Sequence, residues 1–445
     1  MKYISQIFQP IITIPKNAKI KNTEITCKSQ KLLLECGLVR PSSSGFFTLL
    51  PLARRSLDKL EAMARRCVES VGAQRVSLPT LTSVDLWETT GRLGSKTELL
   101  SLEDRHGKPY ILSPTHEEAV ADLLADVGPI SYKQLPLLIY QISSKFRDEQ
   151  RPKHGVLRAR EFRMLDAYGA HAGARCASET YRRARRAYRD LFRQLALDVH
   201  AVEAPAGEIG GSLSHEWQLP AAAGEDRLAV CQSCRHASLE LTSCPKCGGE
   251  TDTHNSIEVG HTFVLGTRYS APLRALVAPP AGPPLPLHMS CYGLGITRLL
   301  AASLEVMSTE RCLRWPRDIA PYSVLVIGPK EGSREWSNFG PDAISAFCKR
   351  VSAVGGGALA GDVVVDDRGR LTVGRRVVMA DKMGYPYIIV CGRSTLDNPP
   401  KFEVYRCAAN QEAEPTLLTV EELLRELAAN YSNTIKNVIE NKYEE

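Results

Sequence analysis

The chain is 445 residues long, 43% apolar and 24% charged, with a formal charge of +6. That length exceeds one ordinary core and divides into two or three domains, which the apolar content suffices to bury. The positive balance favours a polyanionic partner over a cationic one, the absence of any 18-residue apolar run speaks against a membrane helix, and thirteen scattered cysteines in so large a chain exclude a secreted disulfide scaffold. A reducing or matrix compartment suits them.

The first 23 residues carry Lys2, Lys16, Lys19 and Lys21, no arginine and no acid before Glu24. Residues 1–26 therefore read either as an organelle-targeting presequence or as a disordered basic terminus. Apolar spacing at Leu49, Leu52, Leu57, Leu60, Met63 and Ala64 predicts two helices in 29–70 around the turn Ser42-Ser43-Ser44-Gly45. Val76–Pro79 reads as a short strand. Residues 110–114 and 137–147 read as further strands, the second joined through the charged turn 148–155 to a partner at 157–168 in an antiparallel hairpin.

A helix is predicted over 175–195, with seven arginines against Glu179 and Asp190 and an apolar face of Tyr181, Ala184, Tyr188 and Leu191. A solvated basic face is read ahead of a nucleic-acid contact there. The proline-rich loop 278–286 feeds a strand ending at Tyr292, and a helix follows Gly295 through Glu305, the glycine permitting a tight entry. Beyond Trp315-Pro316, strands at 323–328, 362–366 and 387–391 alternate with helices at 341–353 and 374–383. This is an α/β domain of ordinary size. Residues 431–445 are a polar tail, and neither an internal repeat nor a Walker-type phosphate loop is present.

Chemistry concentrates in the hairpin Lys145-Phe146-Arg147-Asp148-Glu149 to Arg158-Ala159-Arg160-Glu161-Phe162. Guanidinium groups fork onto phosphate oxygens, Glu149 can accept from an adenine amine, and Phe162 can stack on a flat ring. The block Gly293-Leu294-Gly295-Ile296-Thr297-Arg298 fits the other half of such a site. Alone, each residue has an ordinary explanation: Arg147 a surface ion pair, Phe162 a core aromatic, His261 a satisfied interior histidine, Thr115 a helix cap. A separate quartet, Cys231-x-x-Cys234 and Cys244-x-x-Cys247, has the spacing of a tetrahedral structural zinc site, with four reduced thiols in a surface loop as the other reading.

Taken together, Pro114-Thr115-His116-Glu117-Glu118, the Arg147 hairpin and the block ending at Arg298 resemble a class II aminoacyl-tRNA synthetase. Trp87 to Arg92, Ser214-His215-Glu216, Glu258-Val259-Gly260-His261, Tyr269-Ser270 and Cys291-Tyr292-Gly293 sharpen the resemblance to prolyl-tRNA synthetases over residues 27–430. It implies an α/β multidomain chain: a catalytic domain at 27–315 built on an antiparallel β-sheet flanked by helices, then an anticodon-binding domain at 316–430. The Cys-rich element 228–250 stands where many bacterial members carry an editing insertion. The tail blocks Asp366-Asp367-Arg368, Thr372-Val373-Gly374 and Gly384-Tyr385-Pro386 agree with this division.

The resemblance also implies roles. Arg147 would hold the α-phosphate and the proline carboxylate, Arg158 and Arg298 the outer phosphates, and Glu149 and Phe162 the adenine, with Mg²⁺ beside the triphosphate. Thr115 and Glu117 would take the proline ammonium, with His261 and Cys291 lining the pocket. Partners would be ATP, L-proline, tRNA(Pro) and a second copy of the chain, since Arg75–Pro79 resembles the family's dimer-forming first motif. No membrane partner is implied. The short form without the editing insertion looks most like mitochondrial members, placing the chain in the mitochondrial matrix with the cytoplasm as the alternative, and implies no hydrolysis in cis of mischarged alanyl-tRNA.

Two other readings stay open at this point: a class II synthetase of another specificity, and a non-catalytic paralogue that binds tRNA or a subunit. Thr115-x-Glu117 with Gly260-His261 opposes the first, and retention of Arg147, Glu149, Phe162 and Arg298 opposes the second. Departures from the family pattern stand at Gly169-Ala170 after Tyr168, at Leu165, and at Arg375-Arg376.

Overall fold

Side chains alternate along the strand Glu161–His171, with Leu165 and Ala167 buried on one face and Phe162, Met164, Asp166 and Tyr168 on the other. In this computed structural model, which describes residues 2–10, 24–94, 98–239 and 243–431, that strand is central to a nine-stranded sheet. Along the sheet the order is His200–Glu203, Leu213–Pro220, Thr251–Gly266, His288–Gly295, Glu161–His171, Leu137–Phe146 and Gln74–Arg75. Every neighbour pair is antiparallel except the last, which is parallel. Asp226–Cys231 pairs beside the outer end of Thr251–Gly266 and carries the short strand Ala237–Leu239 on its other edge.

One face of this sheet is covered by helices Pro51–Glu69, Ala174–Gln194 and Ile296–Met307. Their stripes of Leu57 and Leu60, Tyr181, Tyr188 and Leu191, and Leu299 and Leu300 share a core with Leu165, Trp217 and Leu294. Burying each such side chain contributes about 1.5–3 kcal/mol, so the stripe, rather than the arginines, decides how Ala174–Gln194 packs. Those arginines point outward: the Arg175 side chain is 94% exposed and that of Arg193 71%. The other face of the sheet is left for the cleft.

The second sheet belongs to the tail region. Its order is Lys2–Tyr3, Val363–Asp366, Val324–Ile327, Tyr387–Val390, Lys401–Arg406 and Pro415–Thr419, the first four parallel and the last two antiparallel. Central strands buried on both faces explain the unbroken apolar runs Val324-Leu325-Val326-Ile327 and Tyr387-Ile388-Ile389-Val390. Arg55 and Lys59 of the first long helix both reach Asp362, at 2.9 and 2.7 Å, tying the tail to the part of the chain that builds the nine-stranded sheet. Arg314, fully buried at the junction, donates to the carbonyls of Leu313, Asp381 and Gln411.

Several expectations need correction. Ser42–Gly45 turns a β-hairpin, Val39–Ser43 with Phe46–Leu49, inserted between the two helices Lys28–Glu35 and Pro51–Glu69. Only Gln74–Arg75 pairs as a strand before Val76–Pro79. The returning strand of the hairpin starts at Glu161, because Gly155–Leu157 forms a 3₁₀ turn. The strand expected to end at Tyr292 runs to Gly295, whose φ of −75° any residue adopts, so no special glycine conformation opens the following helix. Residues 2–10 are not a disordered terminus: Lys2 and Tyr3 pair with Val364 and Val365, the Ser5 amide and hydroxyl donate to Asp367, and Gln9 donates to the Cys36 carbonyl. The rest of the proposed presequence through 23, and the tail from 432, lie outside the described residues.

Candidate active site

Strand register assembles the cleft. Phe162 lies opposite Lys145, Met164 opposite Gly295 and His261 opposite Gly293, so alternate side chains of adjacent strands face one side. They enclose a space of about 800 Å³, open to solvent, lined by Thr115, Glu117, Arg147, Phe162, His261, Cys291 and Arg298 among others. Seven of the nine residues expected to contact ATP or proline thus meet in one cleft, although 183 residues separate Thr115 from Arg298.

At one end stand the arginines. The Arg147 guanidinium lies 5.2 Å over the Phe162 ring and, among the described residues, has no ion-pair partner. Burial and then the nearby charge of Arg298 work against its protonation, yet a guanidinium stays charged in proteins. Arg298 donates to the carbonyls of Leu157 and Glu258, at 3.0 and 3.2 Å, which fixes its stem and leaves its remaining donors at the cleft. The Glu258 carboxylate stands 3.5 Å from Arg298 and offsets one of these two cations, which leaves a net positive end that suits an anion, and phosphate oxygens are the anions that guanidinium forks match.

Glu149 and Arg158 do not line the cleft. Arg158 donates to Glu149 at 2.6 Å and pairs as well with Glu225, an acid that sequence reasoning did not single out. Although burial opposes it, the hydrogen bond from Arg158 holds Glu149 below the usual carboxylate range. Both groups therefore sit at the rim in mutual contact.

The opposite end is a buried polar network. Thr115 donates to Glu117 at 2.5 Å, and Arg92 donates to Glu117 and Glu118, at 3.3 and 2.9 Å. Arg92 itself lies 4.7 Å from the Trp87 ring and 5.8 Å from that of Tyr269. Both carboxylates sit in the first turn of helix Glu117–Asp126, where the amide dipoles favour negative charge. Below them Tyr168 donates to Asp166 at 2.8 Å, and Lys145, fully buried, reaches the same carboxylate at 2.8 Å. Glu117 and Asp166, which both line the cavity and are held by Arg92 and Lys145 respectively, make a receptor for a small buried cation such as a secondary ammonium.

Asp166 and Tyr168 were missed in the sequence, although their signal was present: they continue the period-two series that begins at Phe162. His261 stacks on Phe263 with ring centroids 4.0 Å apart and shares a hydrogen bond with Glu258 through Nδ1, at 3.1 Å. Its Nε2 is buried with no partner among the described residues, which leaves a hydrogen-bonding atom for a ligand. Cys291 is fully enclosed, and burial pushes its thiol well above the usual range, so it serves as a small apolar wall rather than a nucleophile.

Glu216 and Glu258, in the blocks Ser214-His215-Glu216 and Glu258-Val259-Gly260-His261, form a further group at the cleft. Their carboxylates and a ring nitrogen of His261 lie mutually within 4.8 Å, a grouping that could hold a cation. Burial and the charge of Glu258 raise Glu216, whereas His261 and Arg298 overcome burial to hold Glu258 below the ordinary range. The cysteine quartet lies in a separate lobe at the outer end of strand Thr251–Gly266.

Residues 100–307 match the family model for the tRNA synthetase class II core domain of the G, H, P, S and T enzymes. Across 422 residues, 90% of the chain is 43% identical to 86% of a Mus musculus protein named as a probable mitochondrial proline–tRNA ligase, and a Homo sapiens protein of the same name is equally similar over 417 residues. The chain belongs to the proline–tRNA ligase family. In fold it is similar to Giardia lamblia prolyl-tRNA synthetase in complex with prolyl-adenylate, with a TM-score of 0.75, 18% identity, and coverage of 92% of this chain and 80% of that one. A Cryptosporidium parvum prolyl-tRNA synthetase complexed with L-proline and AMP is similar at a TM-score of 0.72 and 16% identity. Membership in the family agrees with a cleft that is cationic at one end and anionic at the other.

Proposed function

We propose that this cleft joins proline to tRNA in two steps. The proline carboxylate oxygen attacks the α-phosphorus of ATP, the bond to pyrophosphate breaks, and prolyl-adenylate forms. The 3′-terminal ribose hydroxyl of tRNA(Pro) then displaces AMP. Arg147 carries this reading, because a guanidinium with no ion-pair partner among the described residues, lining the same cleft as Phe162, Thr115 and Glu117, can neutralise charge that develops on the α-phosphate as the carboxylate approaches. No general base is needed in the first step, since the nucleophile is already an anion.

Phe162 offers its free face to adenine, and Arg298 the outer phosphates. For Arg158 to reach those phosphates it must exchange a carboxylate partner for phosphate oxygen, and for Glu149 to accept from the adenine amine the base must reach the rim where Glu149 sits. Thr115 and Glu117 take the ammonium, while His261 Nε2 and Cys291 close the ring pocket. Glu216 and Glu258 are suited by charge and spacing to Mg²⁺, which neutralises triphosphate charge that arginines alone leave unbalanced.

The tail at 316–430 is read as the anticodon-binding domain, and the resemblance of Arg75–Pro79 to the family's dimer-forming first motif supports a homodimer. The mitochondrial names of the relatives support action in that organelle's matrix. About forty residues between Leu213–Pro220 and Ile257 leave no room for an editing domain. Proline-dependent exchange of labelled pyrophosphate into ATP tests the reading. Arg147→Ala is expected to lose at least about 100-fold in that exchange, and a fully active variant, or exchange driven by another amino acid, would overturn the assignment.

A further inference from the structure

The ligase reading makes no use of Cys231, Cys234, Cys244 and Cys247, yet the chain builds two matching turns around them. In the first, the Arg235 amide donates to the Cys231 carbonyl at 3.1 Å and the Cys231 amide to the His236 carbonyl at 2.8 Å. In the second, the Gly248 amide donates to the Cys244 carbonyl at 2.8 Å and the Cys244 amide to the Gly249 carbonyl at 3.0 Å. Arg235 and Gly248, each directly after the second cysteine of its pair, both adopt positive φ, +58° and +70°. For Gly248 that costs nothing, but an arginine there is unfavourable and must be held by its surroundings.

These turns aim four sulfurs at one point. Cys231 and Cys247, Cys234 and Cys244, and Cys234 and Cys247 are each 3.5 Å apart at Sγ, and all four sulfurs lie mutually within 4.8 Å. None is in a disulfide. A tetrahedron with metal–sulfur bonds of about 2.3 Å has edges of about 3.8 Å, close to this spacing. The Cys234 amide also points at Cys231 Sγ, at 3.5 Å, a donor that favours a thiolate.

Among the described residues, strand pairing aside, the lobe has little apolar packing to hold it. Its apolar cluster consists of Val202, Leu228, Val230 and Ala237, with Leu239 partly buried against them. So small a core cannot fix two tight turns at a sheet edge, and a metal is the usual remedy.

We propose that Cys231, Cys234, Cys244 and Cys247 bind one structural Zn²⁺ that staples this lobe to the outer end of strand Thr251–Gly266. Four thiolates leave no open coordination position, so the ion has no catalytic role. Zinc suits the set as a borderline-soft cation with no preference of its own against a tetrahedron.

Metal content of the full-length protein, purified without chelator, tests this independently of ligase activity. About one equivalent of zinc per chain is expected, and cobalt(II) exchanged into the site should show the intense visible bands of tetrahedral thiolate coordination. Cys247→Ser should lose at least about tenfold in retained zinc, whereas Cys176→Ser, outside the quartet, should keep it. Less than a tenth of an equivalent in the wild type, iron in place of zinc, or cobalt without thiolate bands would overturn the proposal, and none of these readouts depends on a variant that folds poorly.

Discussion

Arg92 donates to both carboxylate oxygens of Glu118, at 2.9 and 3.2 Å, directly behind the carboxylate that Glu117 presents to the cleft. Burial, with Glu117 adding to it against the pull of Arg92, pushes Glu118 up to about 7. Near neutral pH the Glu118 carboxyl is therefore about half protonated. An incoming ammonium favours the ionised form of Glu118, so proline binding should strengthen as pH rises through about 7. The KM for proline should fall several-fold between about pH 6 and pH 8, and Glu118→Gln should flatten that profile. A wild-type profile already flat over this range would contradict the coupling. The same shift has the opposite sign for folding: a carboxyl raised above its unfolded value contributes stability at acid pH that is lost as pH climbs toward 7.

Arg158 lies between Glu149 and Glu225, and the Glu225 side chain is 38% exposed. A phosphate must compete with that outer partner. Glu225→Gln should lower the KM for ATP by two- to fivefold, matching the up to about 1 kcal/mol of a solvent-exposed ion pair. Pyrophosphate exchange at varied ATP would show it, and a raised KM would mean instead that Glu225 positions Arg158.

Gly169 is one of the departures from the family pattern, and packing explains it. A Cβ built there would stand 2.5 Å from both His171 Nε2 and Ser290 Oγ, which hydrogen-bond each other at 2.8 Å. Both neighbours are fully buried and cannot swing away. Gly169→Ala should cost about 1–3 kcal/mol, read as a lower urea midpoint at unchanged slope. An unaltered midpoint would show that the neighbours have room to shift.

Burial lowers the His171 imidazole to about 4. Because the unfolded chain binds the proton more readily, stability should fall as pH drops from about 6.5 toward 4. His171→Gln should remove part of that slope in chemical denaturation; an identical slope would place the acid sensitivity elsewhere, His215 being the next candidate.

What the sequence revealed of the site follows the range of each signal. Arg147, Phe162 and Arg298 were legible because a hairpin and a strand-to-helix junction fix their neighbours locally. Glu225 was not, since its pairing with Arg158 spans 67 residues and depends on where a separate lobe comes to rest. Val76–Pro79 has strand-like composition, yet beyond Arg75 the contact with the neighbouring strand continues through the Val76 amide to the Tyr140 carbonyl, at 2.8 Å. Arg376 stood out only as a departure. Its reason is tertiary: fully buried, it donates to the carbonyls of Asp366, Gly328 and Pro329, three groups that no periodicity brings together.

Lys2 and Tyr3 carry no readable pattern, and yet they complete the edge of the tail sheet along Val364 and Val365. The polypeptide thus closes on itself: residues 2–3 finish a sheet whose other strands all lie between residues 324 and 419. A fragment cut at the apparent boundary near Pro316 would carry that edge bare, a row of unpaired amides and carbonyls inviting association with another copy. The tail is therefore better regarded as a unit completed by residues 2–3, and the nucleic-acid recognition proposed for it is best measured in the intact chain.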